Sequence, residues 1–373
     1  MKLPFPLCAA ALSAALLGCG GNKPAQVPVK TEPVAKTESG SSSSTSSETT
    51  PEVVVAKETK PKVVQGPPEP AKPVADDLRS LAARLVEKSP QGSWRINEAA
   101  ALELEKLGDS AQADLVALLG DSRPEARRGA AFYLLAKFNP SDAKQVAGYT
   151  GLLDDKEPFL RSLGLQAVRK MQKTDQAAAV PRLSKMLATE QEPSADNRAA
   201  LARVLGSLKQ NAAPALEALT TGAKDDESPK VRGAYLVAIS QIASSEEALP
   251  AFRQGLGDPD ATVRLVAAAR LRQLGQDAAP AAEDLAQALE DTDPSVREAA
   301  AEALVKVGPA AVEPLSQHVD SKNAFTRQLA IACLGKLGPA AKSALPQVEK
   351  HLADEDPEVK KIAEAVVRIL RGS

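Results

Sequence analysis

The chain has 373 residues, with 46 Lys and Arg against 48 Asp and Glu and a formal net charge of −2. That balance excludes the strong basic excess of a nucleic-acid binder. Two His and three Cys are too few for a multi-ligand metal centre or a disulfide framework. Hydrophobic residues make up 43% but aromatics only 3%, so the core must be built from Ala, Leu and Val, which suits closely packed helices better than a sheet.

The first element in chain order is a leader. One cation, Lys2, precedes an apolar run from Leu7 to Leu17, the layout of a secretory signal and too short for a membrane span. The run ends Leu16-Leu17-Gly18-Cys19, which resembles the lipobox of bacterial lipoproteins. The resemblance implies cleavage before Cys19, diacylation of its sulfur and acylation of the new amino group; only a thiol at that place can form the thioether. Cys8 falls in the removed segment. Gly20, where an inner-membrane retention signal would have Asp, favours the outer membrane, facing the periplasm, and several acyl chains make such an anchor stable where one is marginal.

Residues 20–75 hold nine of the 28 prolines, no aromatic residue, and the run Ser41-Ser42-Ser43-Ser44-Thr45-Ser46-Ser47. Such a composition cannot bury enough apolar surface to offset ordering entropy, so a disordered, partly polyproline-like tether is expected. The domain plan is thus 1–18 leader, 19–75 lipidated Cys19 and linker, and 76–373 folded array.

Residues 76–373 repeat. The segment Val296–Gly308 recurs as Ile96–Gly108, Val263–Gly275 and Thr326–Gly338, with looser copies at Ala126–Phe138, Leu160–Gln172, Asn197–Lys209, Val231–Ala243 and Val359–Arg371. The second position of each copy is Asn97, Arg127, Arg161, Arg198, Arg232, Arg264, Arg297, Arg327 or Lys360, at intervals of 30 to 37 residues. Nine units of this period predict an all-α solenoid in which each unit is a helix pair. Within a copy Val296, Ala300, Ala303, Leu304 and Val307 share one helix face. Pro124, Pro158, Pro229, Pro294 and Pro357 stand at first-turn positions, and Gly275, Gly308 and Gly338 at helix stops. Residues 76–89 are expected to supply the partner helix of the first copy, and strand-like alternation is absent.

Six residues before the basic position stand Asp121, Asp155, Asp226, Asp258, Asp291 and Asp354; Glu192 and Ser321 fill two further slots and Gln91 departs. With this pattern the array resembles HEAT repeats, in particular the short HEAT-like units first named from phycobilisome lyases. Pro250 and Pro346 also match that family's proline in the first helix. The resemblance implies ladders of hydrogen-bonded Asp and Arg between neighbouring repeats, carried here by Asp121 and Arg127, Asp155 and Arg161, Asp226 and Arg232, Asp258 and Arg264, Asp291 and Arg297, and Asp354 and Lys360. Their role is structural, since a partly buried carboxylate needs its partner.

Function is less legible. Cations recur eight or nine residues after the basic position, at Lys106, Arg169, Lys170, Arg272, Lys306, Lys336 and Arg368. They read either as a stripe for an acidic protein partner or as complements to helix C-termini. Trp94 and the pair Phe132-Tyr133 read either as an aromatic anchor for a partner or as cap and core. His318 and His351 sit near ends of first helices as solvated or capping residues, and Cys333 as an inert core thiol. The iron-binding HEAT hydroxylases carry His-Glu dipeptides and this chain has none. With no Gly-rich phosphate loop and no nucleophile paired with a base, no cofactor, metal, small-molecule substrate or nucleic acid is expected. The reading is a non-enzymatic scaffold of the cell envelope, anchored to the membrane by lipid alone and binding a protein through its repeats. A bilin-lyase-like enzyme and a passive spacer associated with peptidoglycan are the alternatives.

Overall fold

A computed structural model describes residues 76–108 and 110–372. The leader, Cys19 and the linker lie outside the described residues. From Ser110 onward the chain is a succession of helix pairs. The first helices are α3 (Ser110–Ala117), α5 (Ala143–Gly151), α7 (Lys173–Lys185), α9 (Leu216–Asp225), α11 (Ser245–Gly255), α13 (Ala282–Gln287), α15 (Val312–His318) and α17 (Leu345–Lys350). The second helices are α4 (Pro124–Lys137), α6 (Pro158–Lys170), α8 (Ala195–Leu208), α10 (Pro229–Ile242), α12 (Ala261–Leu274), α14 (Pro294–Val307), α16 (Ala324–Leu337) and α18 (Pro357–Arg371).

The second helices are regular for a reason visible in their sequences. Five open on a proline, whose missing N–H has no partner to lose in a first turn. α8, α12 and α16 instead carry Ser194, Asp260 and Asn323 as N-caps accepting backbone N–H groups. Four of the first helices are broken at their start. Pro214, Pro280, Pro309 and Pro339 sit in 3-10 turns that lead into α9, α13, α15 and α17, because proline cannot donate to an α-helical ladder.

Successive second helices pack on one another, α8 against α10, α12 against α14, and α16 against α18. Their buried faces are small: Val263, Ala267, Ala268 and Leu271 meet Val296, Ala300 and Leu304 in one continuous core. No repeat could bury such a face alone, so each neighbour supplies the other's interior. At the end of α12, α14 and α16 the chain turns through Gly275, Gly308 and Gly338 at φ 60°, 82° and 59° with ψ near −130°. Lys209 occupies the same place after α8 at φ 53°, ψ −134°, a region that L side chains seldom enter.

The amino-terminal unit differs from the expectation. α1 (Asp76–Arg84) is followed by a short antiparallel hairpin of β1 (Val86–Lys88) and β2 (Trp94–Ile96), with Val86 opposite Ile96 and Lys88 opposite Trp94, and then by α2 (Glu98–Glu105). A period of two is present after all: Glu87 and Arg95 share one face as an ion pair at 2.6 Å, leaving Val86, Lys88, Trp94 and Ile96 on the other. α1 lies against α4. The approach is so close that a Cβ at Gly129 would fall 1.7 Å from the Ala82 carbonyl oxygen. Thus α1 takes the place of a second helix. Asn97 anchors no repeat: it caps α2 by accepting the Ala100 N–H at 3.0 Å and donates to Glu87 at 2.8 Å.

Candidate functional site

The basic residues of the second helices form one recurring joint. Each arginine turns Nη1 back onto the carbonyl six residues earlier in its own repeat: Arg127 to Asp121 at 2.6 Å, Arg161 to Asp155, Arg232 to Asp226 and Arg264 to Asp258 at 2.8 Å, and Arg198 to Glu192 at 2.9 Å. In Arg161, Arg198, Arg232, Arg264 and Arg327, Nε and Nη2 then grip the carboxylate of the following repeat. Arg198 holds Asp226 at 2.7 and 2.9 Å, Arg232 holds Asp258 at 2.7 Å twice, Arg264 holds Asp291 at 2.6 and 2.8 Å, and Arg327 holds Asp354 at 3.0 and 2.7 Å. Arg161 holds Glu192 at 2.5 and 2.6 Å, and Arg127 meets Asp155 at 2.8 Å. In the five two-pronged rungs the carboxylate oxygen that faces Nη2 also accepts the N–H two residues on, as Asp226 does from Ser228 at 2.9 Å; in Asp155 the two contacts fall on different oxygens. One arginine therefore joins two repeats and its partner fixes the turn into the next helix.

The sequence pairing is shifted by one repeat. Asp121 does not pair with the Arg127 side chain beyond the carbonyl contact; its carboxylate takes Arg79 of α1 at 2.8 Å. Glu192, Arg198 and Arg327 are rungs although the six implied pairs left them out. Lys360 is exposed on α18 and pairs with no carboxylate among the described residues. Arg297 is anchored like the others, to the Asp291 carbonyl at 2.7 Å, but the next repeat offers Ser321 where a carboxylate is due. The Phe325 ring lies against its guanidinium at 4.9 Å instead.

Electrostatics follow the geometry. Burial alone would raise Glu192, yet hydrogen bonds from Arg161, the Ser194 N–H and Asn197 hold its carboxyl below the ordinary value. Asp258 and Asp291 are balanced the same way by Arg232 and Arg264. Asp354, gripped by Arg327, the Asp356 N–H and His351, is pulled down furthest.

The cation stripe is not a uniform patch. Lys170 donates to the Leu135 carbonyl at 2.6 Å, Arg368 to the Glu364 carbonyl at 3.1 Å, and Arg272 pairs with Glu302 of the next repeat. Lys336 is engaged as well. Lys106 closes the end of α2, and Arg169 and Lys306 are exposed. Leu135 lies in the last turn of α4, where carbonyls lack a helical partner and a cation is favoured, which accounts for Lys170.

The aromatic residues converge instead. Trp94 on β2 stacks on Phe159 of α6 with ring centroids 4.9 Å apart, and Phe159 stacks on Phe132 of α4 at 6.1 Å. Arg128 lies 5.1 Å from the Trp94 ring and Lys88 lies 5.3 Å from it. All three rings are half-buried, whereas Tyr133 is buried in the core. The hairpin thus lays its tryptophan across two repeats. Phe159, Arg128 and Lys88 carry no repeat-wide signal in the sequence.

The remaining candidates are satisfied in place. His318 Nδ1 is 2.9 Å from the Pro314 carbonyl. His351 is buried between Asp354 at 2.7 Å and Asp320 at 3.2 Å. Cys333 is buried, and desolvation pushes its thiol up to about 12. Among the described residues no group of His, Cys, Asp and Glu is arranged to hold a metal, and no helix is long and apolar enough to cross a membrane.

Segments 188–272, 216–304 and 282–368 match the family of HEAT repeats. This stretch of the chain is a HEAT-repeat array. No curated protein matches the sequence. Among solved structures, an engineered protein is 18% identical, with 79% of this chain and 84% of that one covered and a TM-score of 0.45. The Escherichia coli protein YibA is 21% identical over 75% of this chain and 98% of its own, with a TM-score of 0.43. A designed armadillo repeat protein is 21% identical over 51% and 99%, with a TM-score of 0.33. The fold rests on the helix pairs and the HEAT segments rather than on these likenesses. HEAT solenoids are commonly scaffolds that bind proteins along an extended surface.

Proposed function

We propose that the chain is a lipid-anchored scaffold of a bacterial cell envelope that holds another protein on its HEAT array. The observation that carries the binding role is the platform of Trp94, Phe159 and Phe132 flanked by Arg128 and Lys88. Tryptophan and arginine are the side chains that most often dominate protein interfaces, and here they are immobilised on a solenoid before any partner arrives. The envelope placement is supported by the lipobox residues Leu16 to Cys19 and the polar linker after them; Gly20 favours the outer membrane.

Two experiments test the two halves separately. Cells fed a labelled fatty acid should incorporate it into the wild-type chain and not into Cys19→Ser, which should also leave the membrane fraction; label retained in Cys19→Ser removes the anchor. Crosslinking in intact cells, followed by solubilisation of the envelope, should recover a protein adduct that Trp94→Ala weakens at least several-fold. Recovery of no protein adduct from wild type, with the chain sedimenting with peptidoglycan instead, would replace the scaffold by a passive spacer.

A further inference from the structure

The ladder has one vacancy, between α14 and α16. In the rungs of Arg161, Arg198, Arg232, Arg264 and Arg327 the carboxylate divides its work: one oxygen accepts the N–H two residues on and Nη2, and the other accepts Nε. Ser321 keeps only the backbone contact of the first half. Its Oγ accepts the Asn323 N–H at 3.3 Å and donates to Glu290 at 2.8 Å, while nothing replaces the second oxygen. Arg297 is nonetheless set as the others are, with Nη1 on the carbonyls of Asp291 and Thr292 at 2.7 and 3.2 Å. Its Nε is buried and has no hydrogen-bond partner, as is true of Arg127; but Arg127 still meets Asp155 through Nη2 at 2.8 Å, whereas Arg297 faces no carboxylate of the next repeat. A buried donor left unmatched is costly, and the guanidinium fork matches a carboxylate in shape and charge.

We propose that the Arg297 fork is a binding site for an external carboxylate, which completes the rung that Ser321 leaves open. Phe325 is the movable wall of this site: its ring lies against the guanidinium and is 41% exposed, so a side-chain rotation uncovers the fork. The acidic neighbour Glu290 is turned to the Ser321 hydroxyl rather than to Arg297. The ligand class is a single carboxylate, from the end of a polypeptide or from an acidic side chain. The site stands apart from the scaffold reading above, since it needs neither the membrane nor the Trp94 platform.

The test uses the full chain in detergent, with formate against chloride at equal ionic strength. Formate should raise the thermal midpoint of wild type by about 1 °C or more and slow amide exchange in α14 and α16. Ser321→Asp supplies the carboxylate internally, so it should melt higher in chloride and show no formate response. Arg297→Lys keeps the charge without the fork and should also lose the response, while Phe325→Ala should reach half-effect at lower formate. Equal formate responses in wild type and Ser321→Asp, or none in either, overturn the proposal. Two peptides then separate the sources: one with a free C-terminus and no acidic side chain, and one amidated with a single Glu. Displacement of formate by the first assigns a chain end, and by the second an acidic side chain. Displacement by neither overturns the site as a point of contact for polypeptides.

Discussion

Arg198 and Arg297 hold the same position in their repeats and meet opposite surroundings. Arg198 is 0% exposed as a side chain and closes on Asp226 at 2%; Arg297 faces a serine and an aromatic ring at the surface. The contrast teaches that the ladder is not a uniform source of stability. Where both charges are out of water, each exists only because of the other. Where the arginine keeps partial access to solvent, a missing carboxylate is tolerated.

The sharpest way to break the comparison is Arg198→Ala, which strands Asp226 and the Glu192 carbonyl inside the array. A loss of about 3–5 kcal/mol is expected in denaturant melts, with amide exchange rising first in α8 and α10; a loss no larger than that of Arg297→Ala would show the two sites to be equivalent. Acidification acts on many rungs at once. Asp121, Glu192, Asp258, Asp291 and Asp354 are held below their ordinary values in the folded chain. The unfolded chain therefore binds more protons in acid, so the stabilisation is full above the unfolded carboxylate range near pH 4, and is lost as pH falls through the lower folded values. Exchange protection, corrected for the intrinsic pH dependence of amide exchange, should fall from pH 6 downward at the junctions that Asp121, Glu192, Asp258, Asp291 and Asp354 close, and not between α14 and α16, which has no carboxylate to protonate.

Lys209→Gly should add about 1 kcal/mol or more, because glycine fills this turn freely after α12, α14 and α16; an unchanged melt would show that the lysine backbone is not strained. Ser321→Asp is the smallest change. It should add about 1 kcal/mol or less, measured in chloride, and should narrow the difference between the two interfaces.

Much of this arrangement was legible from spacing alone. The basic position, the acidic position six residues earlier and the first-turn prolines recur because each repeat meets the same neighbour in the same way. The strain at Lys209 was not legible, because the last position of a copy is glycine in four of them but Phe138, Gln172, Ala243 and Arg371 in others. Arg79 was not found because the hairpin and α2 are inserted between it and Arg127, which breaks the period. Yet Leu78-Arg79-Ser80-Leu81-Ala82 follows the same apolar-Arg-x-x-Ala pattern as Val263-Arg264-Leu265-Val266-Ala267. Nothing in a repeat could announce that Trp94 reaches Phe159, since that contact is made once, across two units, by a segment outside the period.

The two-handed arginine also bears on how such a chain can grow. Where a unit carries both, its arginine grips a carbonyl of its own unit and an acid of the following one, so a full-period copy of such a unit inserted in frame arrives with a cation for the unit after it and an acid for the unit before it. Unequal recombination inside the gene can therefore lengthen or shorten the array by whole units with every new seam already matched. A cut of any other length puts the acid and the cation out of register, which is costly wherever the junction is as buried as that of Arg198 and Asp226.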